Sequence, residues 1–186
     1  DGESFVADPV GSLEYDFYNN IISAYAEYDA KFGPVGFKAG ARYEHTLQKV
    51  AYSEGDGEGF RMNYGNLVPN VSLQYNISQM QNVGLSYNMR ISRPGITYLN
   101  PYVNISDPTV KSYGNTDLKA EMAHNMNLVY NYFSPKWIVS LTLRDTYTGN
   151  GISQFSFYDN EGIMNTTYGN IVTSNNLGFN LFLTWI

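Results

Sequence analysis

From Val83 to Ser92 the chain alternates, with Val83, Leu85, Tyr87, Met89 and Ile91 on one side of an extended backbone and Gly84, Ser86, Asn88, Arg90 and Ser92 on the other. The same period of two recurs in Val71, Leu73, Tyr75 and Ile77 against Asn70, Ser72, Gln74 and Asn76, and in Met126, Leu128, Tyr130 and Tyr132 against Asn125, Asn127 and Asn131. These are strands with one oily and one wet side. The oily side is rich in Tyr and the wet side carries Asn, Gln, Ser and Arg, a pairing that suits a wall between lipid and a water-filled lumen better than a compact core.

The 186 residues are 43% hydrophobic and 15% charged, which argues for a folded chain rather than a disordered one. The net charge of −6, with only 11 basic residues scattered along the sequence, sets nucleic acid aside. No stretch approaches the roughly 20 apolar residues of a spanning helix, but β spans need only about 10 alternating residues each. Cysteine is absent, so disulfides, thiol chemistry and Cys-ligated metals are excluded. The opening Asp1-Gly2-Glu3-Ser4 is not a signal peptide, and the chain reads as a mature protein or an excised piece.

Strand-like stretches fall at about 21–32, 36–44, 70–77, 83–92, 121–133, 137–148 and 175–186, with a further ribbon around 152–168 and no convincing helix. The connections alternate in length. Those at Gly33-Pro34-Val35, residues 78–82 and Ser134-Pro135-Lys136 are tight, whereas 45–69 and 93–120 are long. Short turns on one rim and long loops on the other are how outer-membrane barrels are built. The expectation is an all-β, antiparallel up-and-down transmembrane barrel of about seven strands. Because single-chain bacterial barrels have even strand numbers from about eight upward, residues 1–186 read as part of one larger barrel domain. An extra N-terminal strand through Leu13, Tyr15 and Phe17 would make eight.

Four runs then become recognisable: Ala39-Gly40-Ala41-Arg42-Tyr43-Glu44-His45-Thr46; Asn66-Leu67-Val68-Pro69-Asn70-Val71-Ser72-Leu73; Arg90-Ile91-Ser92-Arg93-Pro94 through Leu99-Asn100-Pro101-Tyr102; and Tyr113-Gly114-Asn115 with Leu118 and Glu121. In order and spacing the series resembles the outer-membrane barrel of TonB-dependent receptor-like proteins from Bacteroidota. The resemblance implies a full barrel of about 22 strands in the outer membrane, a plug domain and a TonB-interacting segment that this chain does not show, and a surface lipoprotein as a further partner. Two departures stand out. Thr116 and Ala120 occupy positions where the family often has proline, which implies a less rigid loop. Leu183-Thr184-Trp185-Ile186 is not the terminal aromatic expected of a complete outer-membrane protein.

Candidate chemistry concentrates where the wall enters the 93–120 loop. Arg93-Pro94 and Leu99-Asn100-Pro101 end ladder pairing and support turns, so they read first as a loop anchor and second as the frame of a ligand loop. In that loop Tyr98, Tyr102 and Tyr113 could stack on sugars or other flat ligand faces or pack the loop on the wall, and with Arg93, Asn100 and Asn115 they form the candidate ligand-loop set. Glu54-Gly55-Asp56-Gly57-Glu58-Gly59 imitates a calcium loop but lacks its bidentate Glu, since position 65 is Gly, and reads as an acidic loop tip. Asp159-Asn160-Glu161-Gly162 reads as a hairpin turn. His45 and His124 have no second ligand at metal spacing, and no nucleophile elbow, zinc helix or phosphate loop occurs. Arg42, Arg90 and Arg144 should point inward with Glu44, Ser86 and Thr142 as lumenal ladders. The four Asn-x-Ser/Thr triplets, at Asn70, Asn76, Asn104 and Asn165, carry no meaning in an Asn-rich chain.

The expectation is a non-enzymatic receptor or transporter segment without cofactor, contacting outer-membrane lipid and the rest of its barrel, for an unidentified nutrient. A soluble or adhesin-like β-sandwich and an enzyme on a small outer-membrane barrel are the rivals.

Overall fold

A computed structural model of the protein describes residues 14–54 and 59–185. They form one sheet in the order β1-β2-β3-β4-β7-β8-β9-β6-β5. Seven long strands make the wall: β1 (Glu14–Phe32), β2 (Val35–Glu54), β3 (Arg61–Ser78), β4 (Gln81–Ser92), β7 (Glu121–Phe133), β8 (Trp137–Tyr158) and β9 (Met164–Trp185). Each pairs antiparallel with its neighbour. Between β4 and β7 the chain leaves the wall, makes the single helical turn α1 (Ile96–Leu99) and a small ribbon of β5 (Asn104–Asp107) and β6 (Val110–Ser112), and lays β6 parallel against the start of β9. Among the described residues β1 pairs only with β2, so the sheet is open.

The registers settle which residues share a face. Leu73, Leu85, Leu128, Leu143 and Phe179 stand in one row across the wall, and Gln74, Gly84, Val129, Thr142 and Asn180 in the next. Side chains alternate along every strand, so the two rows lie on opposite faces. The expected facing holds: Leu85, Tyr87, Met89, Leu128, Tyr130, Leu141 and Leu143 share the outer face, and Ser86, Asn88, Arg90, Asn127 and Thr142 the inner. Nothing covers the outer row on β9, where Leu177, Phe179, Leu181, Leu183 and Trp185 are 55–73% exposed. A sandwich would cover them with a second sheet. Here an apolar solvent must do so. Trp137 stacks on Trp185 at 5.8 Å near one end of this face, while Tyr87, His124 and Tyr147 cluster toward the other. From Trp137 to Tyr147 the tilted strand covers about 25 Å, the height of an outer-membrane apolar band.

The inner face explains the abundance of Asn. Asn131 donates to Asn82 at 2.9 Å and accepts from Ser140 at 2.8 Å; Asn125 donates to Asn88 and accepts from Thr146, both at 3.1 Å; Asn127 accepts from Arg144 Nε at 2.9 Å. A carboxamide presents donor and acceptor at once, so one Asn on β7 joins β4 to β8, and the rung repeats two residues further on. On β1 and β2 the inner face is charged, with Lys38 on Glu27 at 2.9 Å and Arg42 on Glu44 at 2.6 Å.

Four expectations are corrected. The region 45–69 is not a long loop: β2 and β3 stay paired as far as Lys49 and Arg61, and the polar residues Thr46, Gln48, Asn63 and Asn66 hide this extension from a hydropathy reading. Tyr15 and Phe17 belong to β1 itself rather than to an extra strand, while Leu13 lies outside the described residues, as do positions 55–58 of the acidic hexapeptide. The ribbon around 152–168 is the outer end of one long β8–β9 hairpin, closed by the expected turn at 159–162 with Gly162 at φ +79°. The 93–120 loop contains the helical turn α1 where no helix was foreseen. The expected split of the rims holds only in part: the tight connections at 33–34, 79–80 and 134–136 share one rim and the 93–120 loop lies on the other, but the tight β8–β9 turn at 159–163 stands on the rim of that loop.

Pro69 shapes that second rim. The β2–β3 ladder runs past it, pairing Ala41 with Pro69, so the proline nitrogen faces β4. It has no hydrogen to give, and the β3–β4 ladder stops at Asn70 and Asn88. Beyond this point, among the described residues, β3 keeps β2 on one side and has no ladder partner on the other, although β4 runs on beside it to Ser92.

Candidate functional site

Residues 93–120 form a strap across the inner side of the rim. At its start the Arg93 guanidinium donates through Nε to Thr46 Oγ1 at 2.9 Å and bonds the Glu44 carboxylate, which Arg42 grips from the other oxygen. Glu44 is buried, and a buried carboxylate persists only when paired. Four residues later α1 turns the chain, and Asn100 Oδ1 accepts both the Tyr52 hydroxyl of β2 at 2.6 Å and the Tyr102 amide at 3.0 Å. Pro94, Leu99, Leu118 and Ala120 of the strap are buried, as are Val50 and Val68 of the wall. They form the small hydrophobic core of the structure. It sits at the rim, and the wall below has none.

The far end of the strap is tied to β9. Tyr113 N donates to Thr166 O at 3.1 Å, Met164 N to Thr109 O at 3.0 Å, and Asn115 Nδ2 to Tyr168 O at 2.9 Å. Asn170 clasps Lys119 reciprocally, accepting its amide at 2.8 Å and donating to its carbonyl at 2.9 Å. The same Asn170 donates to the carbonyl of Asn150, whose φ of +56° marks a bulge in β8. Glu121 accepts Ile152 N at 2.7 Å beside it. The strap therefore joins β2 to β9, which are separated by four strands of the wall.

Within the strap the chain doubles back on itself. Gly114 N donates to Asn100 O and Asn115 N to Tyr98 O, each at 2.7 Å. A Cβ on Gly114 would lie 2.5 Å from Asn100 O and 2.6 Å from Tyr98 O, so only glycine allows this approach. Tyr98 is 41% exposed and meets Tyr168 edge-on with centroids 4.9 Å apart. Outside the membrane-spanning part, Asp159 caps the β8–β9 turn: backbone hydrogen bonds, first from Ile163, together with the Asn165 amide and the nearby Lys111 ammonium, hold its carboxyl below the ordinary value.

All six candidate loop residues thus lie in one strap. Arg93, Asn100 and Asn115 spend their side chains on holding it; Tyr98, Tyr102 and Tyr113 supply its aromatic surface. Of the wall side chains that bond the strap, Thr46, Tyr52 and Asn170 were not foreseen. The one available signal was parity, because Glu44, Thr46, Gln48 and Val50 occupy alternate positions on one face of β2. His124 binds the Tyr87 hydroxyl at 2.9 Å on the outer face, away from the strap. Among the described residues no group of three acidic or histidine side chains converges to hold a metal.

A wall with an uncovered apolar outer face, hydrogen-bonded polar rungs inside and a folded strap at one rim is the architecture of an outer-membrane β-barrel. Residues 1–185 match the model of the outer membrane protein beta-barrel family, and the chain belongs to that family. Its place is the bacterial outer membrane. Among solved structures it is similar to the Serratia marcescens hemophore receptor HasR in complex with HasA and heme, at TM-score 0.70 and 15% identity over 90% of this chain and 32% of that one. It is also similar to the FrpB iron transporter of Neisseria meningitidis (TM-score 0.66, 15% identity, 94% of this chain, 24% of that one). A third likeness is to the ferric-catecholate import receptor Fiu of E. coli K12 (0.61, 12%, 92% and 26%). The chain spans a quarter to a third of the length of these proteins. No curated protein sequence matches it.

Proposed function

We propose that residues 1–186 are part of the barrel domain of a non-enzymatic outer-membrane receptor that binds or takes up a nutrient. The plug, the TonB-coupling segment and the remaining strands belong to the rest of the protein, and a surface lipoprotein is a fitting partner over the mouth. The observation that carries this reading is the strap. A barrel that served only as a membrane anchor needs no folded segment fastened across its inner rim at both ends. In this reading Tyr98, Tyr102 and Tyr113 contact the ligand, and Arg93, Asn100 and Asn115 hold the strap at the depth where those rings can act.

Three full-length receptors purified from outer membranes test it: wild type, Tyr98→Ala and Tyr113→Ala. Native mass spectrometry should find a small molecule retained by wild type and depleted in both variants, with unchanged heat-modifiable mobility on gels. Equal retention in all three would remove the tyrosines from the site, and hydrolytic turnover of the retained molecule would overturn the non-enzymatic reading.

A further inference from the structure

The rift that Pro69 opens in the wall has the chemistry of a peptide site. Residues of β3 facing β2 alternate with residues facing the other way; Pro69 faces away, and so by the same parity do Leu67, Gly65 and Asn63. Leu67 still has the end of β4 opposite it, but past Ser92, among the described residues, no backbone hydrogen bond from a loop or turn engages Asn63 and Gly65 from that side. They form a free strand edge that continues the β3–β4 ladder in line. Past the end of β4 there is a cavity of about 440 Å³, between β3 and the returning limb of the strap. Met62, Leu118 and Met122 give it apolar sides, and Lys119 and Asp117 stand at it with opposite charges. The Asn66 carboxamide, which also lines it, has a buried Nδ2 without a hydrogen-bond partner.

We propose that this rift binds an extended peptide of about four residues, added antiparallel as a short strand to the edge of β3 along Met62–Asn66. Strand addition draws its affinity from main-chain hydrogen bonds and its selectivity from pockets for alternate side chains. The edge offers the first, through the amides and carbonyls of Asn63 and Gly65. The methionines and Leu118 offer the second, and Asn66 Nδ2 adds a donor for a peptide carbonyl or hydroxyl. The proposal goes beyond the ligand reading of the strap and does not depend on its tyrosines.

The test uses the full-length receptor in nanodiscs and the blocked peptide acetyl-Thr-Val-Thr-Val-amide, with binding followed by calorimetry. Two N-methylated versions of the peptide carry methyl groups on alternate sets of amides, so that one set faces the β3 edge and the other faces away. One version should lose at least tenfold in affinity and the other should bind like the parent. The variant Asn63→Pro, which removes an edge donor at a position with the parity of Pro69, should weaken the parent peptide about fivefold, roughly the worth of one hydrogen bond. Tyr98→Ala should leave peptide binding unchanged, which separates this site from the strap. No binding of the parent peptide at millimolar concentration, or equal loss for both N-methylated versions, would overturn the proposal.

Discussion

The wall below Asn70 and the rim above it are built from the same kinds of residue to opposite ends. In the wall an inner polar side chain finds its partner straight across the ladder, as Asn125 finds Asn88 and Thr146, and contacts stay between adjacent strands. At the rim the partners do not face each other across a ladder, because the strap carries one of each pair to a wall strand it does not pair with: Arg93 to Glu44, Asn100 to Tyr52, Lys119 to Asn170. The wall is a repeating lattice, tolerant of any one rung. The rim is a set of single fastenings, each with its own geometry, and there the hydrophobic core is found. Loss of a rung should cost locally, whereas loss of a fastening should free a segment.

The largest expected effect belongs to the wall's outer face. In the full barrel Leu141→Arg should cost roughly 2–4 kcal/mol near mid-membrane, and Thr142→Arg on the inner face much less. Urea unfolding in vesicles measures both, and equal costs would mean that the two faces do not differ in solvent. At the rim, Gly114→Val drives a side chain into the carbonyls of Tyr98 and Asn100 and should destabilise the strap by roughly 1–3 kcal/mol. Protease nicking within 93–120 should accelerate while the wall's unfolding midpoint stays put; a shifted midpoint would show that strap and wall unfold as one. Arg93→Met leaves Glu44 with Arg42 alone and should cost roughly 1–2 kcal/mol, read as faster amide exchange over α1. Unchanged exchange there would mean that Asn100 holds the near end without help.

The smallest effect is one of pH. The Asp159 carboxyl is held below the ordinary value near 4, so its contribution to the β8–β9 turn is present above that value and is lost as pH falls through the lower folded-state value. Protection of the Ile163 and Glu161 amides, relative to their intrinsic exchange at each pH, should therefore fall in acid below about pH 4. Asp159→Asn should keep one protection factor across that range, and a wild type whose protection is equally insensitive to acid would refute the role of the carboxylate.

Most of the wall could be read from the sequence because its rule is local. Leu85 and Tyr87 face lipid for the same reason as Leu128 and Tyr130, and a period of two states that reason along a single strand. The strand ends were less legible. Thr46, Gln48 and Asn63 continue a ladder outside the apolar band, where neither face need be oily. The strap was visible as a loop with prolines, and its six candidate residues do lie together. Its fastenings were not visible, because Arg93 and Glu44 are brought together by the fold and no spacing encodes that meeting. Pro69 could be seen to end a ladder, but which of two neighbouring strands it would release depends on the direction in which its nitrogen points.

The number of wall strands carries one more consequence. Among the described residues the wall has seven strands, an odd number, and in a meander that reverses at every turn the first and last strands therefore point the same way. Rolling this wall up on itself would bring β1 beside β9 in parallel. A second copy, set in the same membrane with the same side outward, fares no better, since its β1 also meets β9 in parallel. Closure by antiparallel seams alone requires a complement with an odd number of strands whose first strand starts from the rim opposite to the strap and whose last strand ends on the strap's own rim, the reverse of the path taken here.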